Sequence, residues 1–78
     1  MSNTNTPAEI VAAIRADWAR PYFGAVPYLD ALEAVPTWDT RIGFETARDV
    51  APYLLSNLRT WKGETARTVK AQLQEVSR

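Results

Sequence analysis

Apolar positions recur along most of the chain at three- and four-residue spacing, the period of an α-helix and not of a strand. Ile10, Val11, Ile14 and Trp18 fall at i, i+1, i+4 and i+8 and make one face, with Arg15 at its border and Asp17 opposite. Just before them Thr6, Pro7 and Glu9 supply a hydroxyl cap, a proline suited to the first helical position and a carboxylate three residues past the cap. A helix is therefore expected to open at Pro7 with a capping box, and Pro21 to stop it near Ala19 or Arg20. A second helix is expected between Tyr22 and Val35, with Tyr22, Ala25, Val26, Leu29 and Leu32 on one side. Pro27 has no N–H for the carbonyl of Phe23, so this helix either bends there or begins near Val26, and Pro36 ends it.

From Pro36 to Glu45 the apolar residues Trp38, Ile42 and Phe44 fit neither period, and Gly43 suggests a residue with positive φ. A long loop is expected there. Thr46, Ala47, Arg48 and Asp49 repeat the capping pattern with Asp in place of Glu, opening a third helix whose apolar face is Ala47, Val50, Ala51, Leu54, Leu55 and Leu58. Pro52 is expected to kink it. Thr60 is placed to cap a fourth helix, with Trp61, Thr65, Ala66, Val69, Leu73 and Val76 inward and Gly63 weakening the first turn. No strand-like alternation or internal repeat is visible. The expected fold is all-α, a compact bundle of about four short helices with a long loop between the second and third. Residues 1–6 form a disordered polar N-terminus and 7–77 a single helical domain.

At 78 residues, 46% of them hydrophobic, one core only just outweighs conformational entropy, so the eight aromatic residues must carry much of it. The chain has no Cys and no His. That removes disulfides, thiolate nucleophiles, zinc sites and the Ser-His-Asp and Cys-His catalytic arrangements, together with the commonest general base near neutral pH. No cofactor or metal is expected. The polar N-terminus lacks the features of a signal peptide, and the longest apolar run, Val50 to Leu55, falls far short of the about 20 residues that span a bilayer. A cytoplasmic protein without membrane association is expected.

Nine Lys and Arg balance nine Asp and Glu, so no global attraction to nucleic acid or anionic lipid follows from charge. The neutral total conceals a polar distribution. Arg59, Lys62, Arg67, Lys70 and Arg78 against Glu64 and Glu75 give residues 59–78 a balance of +3, offset by −3 before them. Arg67, Lys70, Gln74 and Arg78 fall on one acid-free stripe of the last helix. Arg59, Lys62, Arg67 and Lys70 are therefore candidate nucleic-acid contacts, and the short connection around Thr60 to Gly63 is compatible with a helix-turn-helix. A solvated helix face, with Glu64–Arg67 and Glu75–Arg78 as i,i+3 pairs, accounts for the same charges without a ligand.

The segment from Tyr22 to Leu32 gathers a glycine, a proline and three aromatic rings, with a second proline just before it. Tyr22, Phe23, Tyr28 and the later Trp38 are the candidate anchors for a protein partner. The competing reading places these rings in the core, where a small domain needs them. Asp30 with Glu33, and Glu45 with Asp49, could approach a divalent cation, but without His ligands or an EF-hand loop the pattern is non-specific and capping accounts for Asp49. Small helical enzymes without His or Cys exist, the chorismate mutases among them, which clamp a dicarboxylate between Arg and Lys of long helices. Here the helices are short and interrupted by Pro27 and Pro52, and no nucleophile, base and orienting group can be named together, so no catalytic residue is expected.

The string from Tyr22 to Leu32, followed by Leu55-Ser56-Asn57, Thr60 to Arg67 and Val69-Lys70-Ala71, resembles a group of short uncharacterised proteins of actinobacteria and their phages. The resemblance covers most of the chain after residue 8. It assigns no activity to any residue and implies a phage or mobile-element setting, where small adaptor, regulatory and host-modulating proteins are common. The expected function is thus a non-enzymatic protein-interaction module, monomeric or homodimeric, with nucleic-acid binding as the alternative.

Overall fold

A computed structural model describes residues 5–77 of the chain. Within them four α-helices follow one another: α1 (Pro7–Asp17), α2 (Val26–Leu32), α3 (Ala47–Ser56) and α4 (Glu64–Ser77). A 3₁₀ turn, Phe23–Ala25, runs straight into α2. A short antiparallel hairpin, β1 (Arg41–Ile42) and β2 (Glu45–Thr46), leads into α3, pairing Arg41 with Thr46 and Ile42 with Glu45.

Two helices start as their sequences dictate. At α1 the Thr6 side chain accepts from the Glu9 N–H at 3.2 Å and the Glu9 carboxylate accepts from the Thr6 N–H at 2.8 Å, closing the capping box. At α3 the Asp49 N–H donates to Thr46 Oγ1 at 3.4 Å, and the Thr46 N–H returns a bond to Asp49 Oδ2 at 3.0 Å. The Thr46 N–H, and after it the Thr46 hydroxyl, hold the Asp49 carboxyl below the usual aspartate range, since both donate to its ionised form.

The core is one cluster to which every helix contributes: Ile10, Val11 and Ile14 from α1, Leu29 and Leu32 from α2, Val50, Ala51 and Leu54 from α3, and Val69, Leu73 and Val76 from α4. Helix α4 lies chiefly on α3 and next on α1. The connector 57–63 is held down by Leu58 and Trp61, both buried. The Trp61 ring stacks on Trp18 at 5.8 Å, its Nε1–H donates to Asp17 Oδ2 at 2.8 Å, and its carbonyl accepts from Lys70 Nζ at 2.6 Å. One tryptophan thereby ties the end of α1 to the middle of α4.

Several expectations are corrected. The protein is mostly helical but not purely all-α, because the segment expected as a loop contains the hairpin, turned by Gly43 at φ 67°. Helix α1 ends at Asp17, where the Trp18 N–H closes on the Ile14 carbonyl, earlier than Pro21 requires. Helix α2 is shorter than its apolar pattern, since the chain turns after Leu32 and the Val35 carbonyl takes the Ala8 N–H at 3.2 Å. Tyr22, expected on the apolar side of that helix, lies outside it and is exposed. Helix α4 begins at Glu64 and not at Thr60, because Gly63 at φ 115° redirects the chain and its own carbonyl receives the Arg67 N–H at 3.0 Å. Thr65 is exposed, so the buried stripe of α4 starts at Ala66. Of the polar stretch 1–6, residues 1–4 lie outside the described residues, whereas Asn5 and Thr6 are held, one by Trp38 and the other as the α1 cap. No helix of the described residues is long and apolar enough to cross a membrane.

Candidate functional site

Tyr22 precedes the 3₁₀ turn in extended conformation, φ −54° and ψ 132°, which carries its ring outward against Phe23, 4.7 Å between centroids. Gly24 sits beneath. A methyl group there would stand 2.5 Å from the Tyr22 ring and 2.7 Å from the Asn57 side-chain oxygen, so a residue without Cβ is what lets these two side chains close in together. Asn57 terminates α3 and donates its side-chain amide to the Tyr53 carbonyl one turn earlier, at 2.9 Å. Tyr53 stacks in turn on Tyr28 of α2, 6.2 Å between centroids and 13° between planes. Tyr28 and Tyr53 thus bridge the seam between α2 and α3, and the Tyr22–Phe23 pair just before α2 lies beside Asn57 at the end of α3. Phe23 is 79% exposed, Tyr53 55% and Tyr22 44%, while Tyr28 is half-buried against the core.

At the Tyr22 end the seam opens into a groove of about 680 Å³ lined by Tyr22, Ser56, Asn57, Arg59, Thr60 and Lys62. Lys62 also borders an adjoining depression of about 240 Å³, shared with Trp61, Gly63, Ala66, Arg67 and Lys70. Of the residues expected at two alternative surfaces, Tyr22 therefore meets Arg59 and Lys62 in one groove. Arg59, Lys62 and Arg67 are exposed; Lys70 is half-buried, drawn in by the Trp61 carbonyl. The connector between α3 and α4 spans seven residues, 57–63, longer than the about 3–4-residue turn of a helix-turn-helix.

Trp38 does not belong to this surface. Only 8% of it is exposed, its Nε1–H donates to the Asn5 carbonyl at 2.7 Å, and its own carbonyl receives the Arg48 N–H at 2.8 Å, so the segment expected as a loop folds over the core with Trp38 as its plug. The carboxylate pairs also find structural partners. Asp30 and Glu33 flank Arg15 at 2.8 and 3.8 Å, Asp49 caps α3, and no cluster that could hold a metal ion gathers among the described residues. Glu64 and Arg67 form no ion pair within 4.0 Å, and Arg78, the proposed partner of Glu75, lies outside the described residues.

Two exposed aromatic residues escaped the sequence pattern, one of them at the site. Tyr53 lies on the polar face of α3 with Asp49 and Ser56, and an aromatic residue on that face is the readable sign of a surface role. Phe44, 99% exposed, stands at the tip of the hairpin, away from the groove. No protein-family model, curated protein or solved structure matches the chain, so function is read from the surface itself.

Proposed function

We propose that the protein is a small non-enzymatic interaction module, of adaptor or regulatory type, that docks a partner protein on the ridge of Tyr22, Phe23, Tyr28 and Tyr53. The observation that carries this reading is the exposure of Phe23 and Tyr53 beside Tyr22, on a domain that buries its other seam residues Ala25, Leu29 and Leu54 completely. Exposed ring pairs such as Tyr22–Phe23 and Tyr28–Tyr53 are costly in water, and Tyr, Phe and Trp in shallow grooves are the usual anchors of protein interfaces. A phage or mobile-element origin belongs to the same proposal and rests on the resemblance carried by Tyr22 to Leu32 and Thr60 to Arg67, and a cytoplasmic setting rests on the polar N-terminus and the short apolar runs.

The test is selection from a random dodecapeptide library on the immobilised protein, followed by titration of the enriched peptides against wild type, Phe23→Ala and Tyr53→Ala. Each substitution is expected to weaken binding by about 2 kcal/mol, with thermal melts unchanged because both side chains are exposed. Peptides that bind all three proteins equally, or no enrichment at all, would sink the reading. Sedimentation equilibrium on the free protein identifies a second copy as the partner, should the ridge be self-complementary.

One observation favours nucleic acid as a second reading: Lys62, common to both depressions, links Arg59 to Arg67 and Lys70 in a continuous cationic border. Duplex binding that falls steeply with salt, with a shallower slope in Lys62→Ala, would favour it.

A further inference from the structure

Building on the interaction reading, we infer that the segment of the partner seated in the groove is acidic, with its carboxylates over Arg59 and Lys62 and an apolar side chain on Tyr22 and Phe23. Among the described residues, none that lines the groove carries a carboxylate. Its two cations form no ion pair among the described residues, although Arg15 and Arg48 elsewhere on the surface are both paired, with Asp30 and Asp39. Of the acids near the connector, Asp17 accepts from Trp61 Nε1 at 2.8 Å and Glu64 borders a separate depression beside Asn5 and Ala13; farther off, Asp30 and Glu33 flank Arg15 and Asp49 caps α3.

The neutral polar groups of the groove point the same way. The Ser56 hydroxyl donates to the Pro52 carbonyl at 3.0 Å and the Asn57 amide to the Tyr53 carbonyl, so the charged donors left for a ligand are the heads of Arg59 and Lys62, with the Tyr22 and Thr60 hydroxyls beside them. Such a wall selects an acceptor-rich, negatively charged occupant, and the guanidinium of Arg59 can take a carboxylate through two parallel bonds. A protein segment fits better than a phosphate backbone. Among the described residues only four cations border the two depressions, Lys70 already donates to Trp61, and the formal net charge of zero supplies no long-range steering toward a polyanion.

The experiment reads the composition of the dodecapeptides selected on the full chain, then measures the best of them by fluorescence polarisation against wild type, the Arg59→Glu/Lys62→Glu double variant and Phe23→Ala. A fluorescein-labelled 20-base-pair DNA duplex is run in parallel. Enrichment of Asp and Glu beside an apolar residue is expected, with affinity lowered roughly fivefold to tenfold by the double charge reversal and restored in part when the peptide's acids are replaced by Lys. Neutral or basic peptides that depend on Phe23 and ignore the charge reversal would overturn the acidic partner while leaving the interaction reading intact. A duplex bound more tightly than any peptide would overturn it in favour of nucleic acid. Absence of any selected peptide counts against both readings. Near-ultraviolet circular dichroism of the tryptophans, with Arg59→Gln/Lys62→Gln as the neutral control, separates lost binding from lost fold.

Discussion

Trp38 and Phe44 stand in one connecting segment and meet opposite fates. Trp38 is 8% exposed and hydrogen-bonded through its indole to Asn5, whereas Phe44 is 99% exposed on the hairpin turn. Removing the Trp38 side chain leaves a cavity beside the core and an unpaired Asn5 carbonyl, so Trp38→Ala is expected to lose about 3–5 kcal/mol, most of the stability of a domain this small. Trp38→Phe keeps most of the apolar burial and is expected to lose about 1 kcal/mol. Phe44→Ser touches nothing buried and should stay within about 0.5 kcal/mol of wild type. Urea melts followed by circular dichroism check this order; a Phe44→Ser protein as unstable as Trp38→Ala would contradict it. The two residues also mark a limit of sequence reading. Neither belongs to a periodic stripe, and which of them is buried depends on the chain returning to Asn5, more than thirty positions away.

Among the elements, legibility follows the strength of the local signal. Helices α1 and α3 open at the predicted residues because each has a complete capping box in its sequence, a device that works through neighbours three positions apart. The start of α4 is not readable from Thr60, because the connector must first bury Leu58 and Trp61, and that demand is tertiary. The hairpin escapes because strands of two residues cannot display an alternation. At α3 the cap makes a pH-dependent contribution. Asp49 has a lower carboxyl pKa in the fold than in the unfolded chain, so its contribution is fully present above the ordinary aspartate value and is lost as pH falls through the lowered one. Asp49→Asn should therefore melt below wild type at neutral pH, with the gap closing on acidification below about pH 4. Thr46→Ala, which removes the hydroxyl that caps the helix, is expected to lose about 1 kcal/mol at neutral pH. Thermal melts of the three proteins between neutral pH and strongly acidic conditions check this; a gap that widens on acidification would reverse the sign.

On the scale of the whole molecule, the groove is assembled from two stretches that are distant in the chain. Tyr22, beside Phe23, precedes α2, and Ser56 to Lys62 run from the last residue of α3 through the connector. The sequence shows the aromatic residues and the cations as separate candidates, and only the packing of α2 on α3 makes Tyr22 a neighbour of Arg59 and Lys62, so members of both alternatives line one groove. The hairpin lies at the opposite end of α3, about 15 Å away along ten residues of helix, and offers a built-in control. The most direct measurement is therefore amide chemical-shift mapping on the ¹⁵N-labelled protein as a selected peptide is added. The account predicts the largest shifts at Phe23, Tyr53, Asn57, Arg59 and Lys62, with Arg41 to Glu45 unmoved. Shifts concentrated on the hairpin, or spread evenly without reference to the groove, would contradict it.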